Sequence, residues 1–99
     1  MDIKKNLTGN DLNIALIGRL DTTTAPQLEE IVKNELDSVD NLTYDFEKLE
    51  YISSAGLRIL LASQKAINAK SGVMKIKNVC SDILEVFEIT GFSDIFTIE

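Results

Sequence analysis

The chain has 99 residues, 44% hydrophobic and 26% charged, which is enough apolar material for one packed core in a single domain spanning residues 1–99. Its net charge of −6 and its scattered basic residues, with Lys4-Lys5 the only adjacent pair, argue against nucleic acid or an anionic membrane surface as partner, because phosphate contacts need clustered Lys and Arg. It contains no histidine, so no Ser-His-Asp or Cys-His arrangement can form within it, and catalysis by this chain alone is disfavoured.

In chain order, Ile3 to Thr8 reads as a weak strand, and Gly9-Asn10-Asp11 carries turn chemistry. Leu12, Ile14 and Leu16 alternate with Asn13 and Ala15, the period of a strand with one buried face, so the first two strands should form an antiparallel hairpin. Asp21 and the three threonines after it are N-cap candidates for a first helix, where Pro26 suits the first turn. Leu28, Ile31, Val32 and Leu36 form that helix's apolar stripe, with Glu29, Glu30, Lys33 and Asn34 off it. Leu42, Tyr44 and Phe46 alternate with Thr43 and Asp45 in a third strand, which should lead through "EKLEY" into the next helix. The second helix should run from about Ser54 to about Lys70. Its first turns are apolar nearly all round except at Arg58, so it should be covered on more than one side. Ser71-Gly72 should close it, with glycine in the left-handed geometry common past a helix end. Val73 to Val79 is a strand alternating Met74 and Ile76 with lysines, and Ser81 or Asp82 can cap a third helix bearing Ile83, Val86 and Phe87. Gly91 should end that helix, and Ile95 to Ile98 should be a last strand. The order β-β-α-β-α-β-α-β implies an α/β domain with a mixed, mostly parallel sheet, an N-terminal hairpin and right-handed crossovers. Phe87, Phe92 and Phe96 are expected in its core.

No apolar run approaches the roughly 18–20 residues that span a bilayer, and "MDIKKNLTGN" lacks the apolar middle of a signal peptide. The cytoplasm is therefore the expected compartment, with no membrane insertion. The single cysteine, Cys80, cannot pair internally and points to no metal site. No cofactor is indicated, and a monomer is expected.

The segment "YISSAGLRILL", Tyr51 to Leu61, sets two serines and a glycine before an apolar helix. A helix start carries unpaired N–H groups and partial positive charge, which suits either a capping serine oxygen or an added phosphate. Gly56, without a side chain, could let another surface come close, at a cost of about 1 kcal/mol in helix propensity. The segment resembles the signature of the STAS family, specifically the bacterial anti-sigma factor antagonists. The likeness extends through "ALIGRLDTTTAPQLEEIV", "TYDFEKLEYISSAGLRILL" and "FEITGFSDIFTI". Such a resemblance implies a non-enzymatic protein switch. The unphosphorylated antagonist binds an anti-sigma factor, itself a serine kinase of the histidine-kinase-like ATPase type, and frees a sigma factor. Phosphorylation of one serine breaks the complex, and a serine phosphatase resets it.

By the same resemblance the modified residue, two places before the motif glycine, is Ser54, with Ser53 as the alternative. The partner-facing residues it implies are Asp21, Thr22, Ser53, Ser54, Ala55, Gly56, Leu57 and Arg58. For Asp21, capping of the first helix is an equally simple role. The chain departs from the family pattern at Ser53, where aspartate is common, at Ala55, where a hydroxyl is common, and at Arg58, where glycine is common. Two other functions are compatible with the residues. One is a STAS subunit of a membrane machine, such as a lipid-transport subunit or a stress-sensing scaffold. The other is an enzyme using Ser54 as nucleophile, which the missing histidine disfavours.

Overall fold

The computed structural model describes residues 1–99. Its elements are β1 Asp2–Thr8, β2 Asp11–Leu20, α1 Ala25–Glu35, β3 Asn41–Ile52, α2 Ser54–Ala69, β4 Val73–Lys77, α3 Ser81–Thr90 and β5 Thr97–Ile98. Short 3-10 turns, Leu36–Ser38 and Phe92–Asp94, follow α1 and α3. The β1–β2 hairpin closes on the pair Thr8↔Asp11 across Gly9-Asn10, with Gly9 at φ +61°. The remaining neighbours are parallel, in the spatial order β1-β2-β3-β4-β5.

Every parallel connection steps the same way across this sheet. Right-handed crossovers therefore place α1, α2 and α3 on one face. Burial agrees. Leu12, Ile14, Leu16, Leu42, Tyr44, Phe46, Met74 and Ile76 face the helices and are buried, whereas Asn13, Thr43, Asp45, Lys75 and Lys77 look out from the other side. Tyr44, fully buried, places its hydroxyl 2.8 Å from Ser63 Oγ, which donates to the Ile59 carbonyl at 2.9 Å, so the core's polar atoms here are satisfied. Phe87 and Phe96 are buried and stack edge to face, with Phe92 against them.

Several expectations need correction. "EKLEY" is strand, not connection: β3 continues to Ile52, and register shifts opposite Ala15/Ile17 and Gly18/Arg19 give it extra residues. After each shift the inward residue falls three places on, at Phe46, Leu49 and Ile52, which hides the strand's period of two. The left-handed residue after α2 is Ser71, at φ 60°, rather than Gly72. Gly72 is required for space: a Cβ there would stand 1.8 Å from the Asp40 carbonyl oxygen. Cys80, not Ser81 or Asp82, is the N-cap of α3, and no side chain bonds its amide end. The closing strand shrinks to Thr97–Ile98 because the Ile95 and Phe96 amides donate back to the Phe92 carbonyl, at 3.0 and 2.9 Å, as the 3-10 turn ends, whereas Gly91 does end α3, at φ 82°.

Candidate functional site

The C-terminal ends of β2 and β3 lie side by side, with Leu20 opposite Ile52. From there the chain turns into α1 and α2. Ser53 N–H donates to the Leu20 carbonyl at 2.9 Å, so the two turns are tied together and their side chains share one end of the sheet.

On the β2–α1 side, Asp21 organises the turn. Its Oδ1 accepts from the Thr23 hydroxyl at 2.7 Å, from Thr23 N–H at 3.0 Å and from Thr24 N–H at 3.2 Å. Its Oδ2 stands 3.8 Å from Arg19 Nε. The bond from the Thr23 hydroxyl foremost, with those amides, holds the Asp21 carboxyl below the usual aspartate range. Thr24 is the N-cap of α1 but makes no side-chain cap bond. Instead its hydroxyl donates to the Arg19 carbonyl at 2.8 Å and accepts from Asp21 N–H at 2.9 Å. Thr22 projects into solvent, and Pro26 lies in the helix's first turn. Asp21 thus has a structural task, while its side chain stays partly exposed.

On the β3–α2 side the two serines divide their roles. Ser53 is the N-cap, extended at φ −100° and ψ 175°, and its Oγ accepts from Gly56 N–H at 3.5 Å. Ser54 is the first helical residue and is exposed, and its hydroxyl has no partner within the chain. It opens onto a depression of about 340 Å³ lined also by Leu57, Arg58, Leu61, Thr90 and Phe92. Arg58 borders this depression and a second one of about 440 Å³ between α1 and α2, floored by Ala25, Val32, Ala55 and Ile59.

The close approach that Gly56 permits is internal. A Cβ on it would come within 2.7 Å and 2.8 Å of Leu20 Cγ and Cδ2 and within 2.9 Å of Ile52 Cγ1. Gly56 and Leu57 are buried, so neither offers the open surface first expected of this stretch, although Leu57 still floors the Ser54 depression. The solvent-facing members are Thr22, Ser54 and Arg58, with Asp21, Ser53 and Ala55 half-buried. Sequence reasoning missed three neighbours. Arg19 places its guanidinium 4.3 Å from the centre of the exposed Tyr51 ring, a cation–π contact created by the Arg19↔Tyr51 register pair. Thr90 and Phe92 reach the site from the end of α3. The aromatic at the start of "YISS" was the only available signal for the first pair.

The chain is thus a one-sided α/β sheet whose carboxyl end presents an acidic turn beside a serine-headed helix. The STAS domain model matches residues 2–99, and the chain belongs to that family. It is 28% identical over 98 residues to the anti-sigma-B factor antagonist of Bacillus subtilis (strain 168), covering 99% of this chain and 88% of that protein. The anti-sigma-B factor antagonist of Staphylococcus aureus (strain NCTC 8325 / PS 47) is 33% identical over 79 residues, 79% of this chain and 73% of that one. In fold the chain is similar to the anti-sigma factor antagonist SpoIIAA in its unphosphorylated form, with a TM-score of 0.81, 20% identity, and 99% and 87% of the two chains covered. The phosphorylated form of Bacillus SpoIIAA superposes with a TM-score of 0.80 at 20% identity, covering 99% and 91%. No helix here is long and apolar enough to cross a membrane.

Proposed function

We propose that this chain is an anti-sigma factor antagonist whose docking is switched off by phosphorylation of Ser54. One observation carries the assignment to Ser54 over Ser53. The Ser53 oxygen is occupied in capping α2, while the Ser54 hydroxyl is exposed and unbonded at the head of the same helix. The names of the curated relatives support the antagonist role.

In this reading the partner is an anti-sigma factor that is also an ATP-dependent serine kinase. Ser54 Oγ attacks the γ-phosphorus of ATP. The new Oγ–P bond forms as the bond to the ADP oxygen breaks, and the hydroxyl proton passes to a base on the kinase. A phosphatase reverses the modification by hydrolysis. The phosphate adds roughly −1.5 to −2 charges at neutral pH. The amide end of α2 favours this charge, so the antagonist keeps its fold. A partner seated over Ser54 must instead desolvate it, and because the group is charged an unpaired phosphate costs about 3 kcal/mol or more, which corresponds to at least tenfold in affinity.

The test is incubation with the anti-sigma factor and ATP, followed by peptide mass spectrometry and binding titrations. Ser54→Ala is expected to bind normally and take no phosphate, and Ser54→Asp to bind at least about tenfold more weakly. Phosphate that persists in Ser54→Ala, or equal affinity of modified and bare protein, would overturn the assignment.

A further inference from the structure

We infer that Arg58 is a built-in counter-ion for phosphate on Ser54, so that modification withdraws a cation from the docking surface as well as adding an anion. This rests on Ser54 being the phosphoacceptor and adds a second component to the regulation of that site.

Ser54 and Arg58 are four residues apart in α2, a spacing that stacks side chains on one helix face with Cβ atoms about 5–6 Å apart. Both line the same depression. The order, acid before base, is the favourable one for a helical pair. Arg58 is exposed and takes part in none of the chain's four ion pairs, nor in any side-chain hydrogen bond. Arg19, the other arginine, already faces Asp21 and Tyr51. Across the α1–α2 groove the charged groups beside Arg58 are Glu29 and Lys33, which pair with each other at 3.5 Å. From the α3 side come Thr90 and Phe92, neither of them charged.

Arg58 therefore has no standing partner, and a phosphate four residues before it would supply one. The guanidinium fork can meet two phosphate oxygens at once, a geometry that lysine cannot reproduce. Leu57, Leu61 and Phe92 line the same depression beside the pair. In the bare protein Arg58 is free to meet an acidic group on a docked partner. In the modified protein it is engaged in cis.

The test uses full-length chain with phosphoserine installed at position 54 during translation, so that it does not depend on any kinase. The second ionisation of the phosphate is followed by 31P NMR across pH, in the parent and in Arg58→Ala and Arg58→Lys. An adjacent guanidinium favours the dianion, so the parent should ionise about 0.3 of a pH unit or more below Arg58→Ala, with Arg58→Lys between them. The gap should shrink in high salt. Arg58→Gln serves as the neutral comparison if the alanine variant does not fold. Coincident curves for parent and neutral variant at low salt would overturn the inference while leaving Ser54 as acceptor. A kinase that never modifies Ser54 would undo the switch yet leave the pairing measurable.

Discussion

Ser53→Ala and Ser54→Ala differ by one position and should have opposite consequences. Ser53 supplies the only side-chain oxygen that accepts from the amide end of α2, at 3.5 Å from Gly56 N. Loss of an N-cap oxygen costs about 0.5–2 kcal/mol, and so long a bond belongs in the lower half of that range, about 0.5–1 kcal/mol. For a domain of this size each kcal/mol moves the thermal midpoint by about 4–8 °C, so Ser53→Ala should melt roughly 2–8 °C below the parent. Ser53→Gly should lose only a few tenths of a kcal/mol, since glycine is an acceptable cap. Ser54→Ala removes an exposed hydroxyl with no partner and inserts the best helix former, so its stability should stay within about 0.5 kcal/mol of the parent. Thermal melts followed by circular dichroism give the comparison. A midpoint that fell as far in Ser54→Ala as in Ser53→Ala would refute the division of labour between the serines, and with it the ground for choosing Ser54.

Gly72→Ala should destabilise by about 3 kcal/mol or more, read as a lowered urea midpoint, because the added methyl meets the Asp40 backbone rather than a side chain that can swing away. Glycine-to-alanine at an unstrained position normally stabilises, so a raised midpoint would contradict the packing. Asp21→Asn tests the β2–α1 turn through pH. Asp21 titrates lower in the fold than in the unfolded chain, near 3.9 for the latter, so its contribution is complete above about pH 5 and is lost as pH falls through the folded value. The parent's advantage in thermal midpoint over Asp21→Asn should therefore be present at pH 6 and fade as the pH is taken below the usual aspartate range. An advantage constant with pH would mean that the charge plays no part.

How much could be read in advance depended on how local each signal was. Leu12, Ile14 and Leu16, or Leu42, Tyr44 and Phe46, declare strands because alternation is set by the backbone's own period and survives any packing. The rest of β3 did not, because its extra residues break that alternation and only the partner strand β2 makes the register visible. The same holds for the Arg19–Tyr51 contact, which pairs residues far apart in the chain. Caps were legible as a short stretch but not as a residue. Two adjacent serines offer two oxygens, and the capping one is set by whether the backbone is extended or helical at each.

From its sequence alone this protein has an order of elements, a parallel sheet begun by a hairpin, and a serine pair at the head of its second helix. These follow from hydrophobic period, turn chemistry and chain direction, all of which act between near neighbours. Only the folded chain decides that Gly56 looks inward at Leu20 and Ile52, that one sheet face stays bare, and that Ser54 shares its depression with Arg58 and Phe92. Those facts arise where separate elements press together. Lateral packing depends on distances that no stretch of sequence contains.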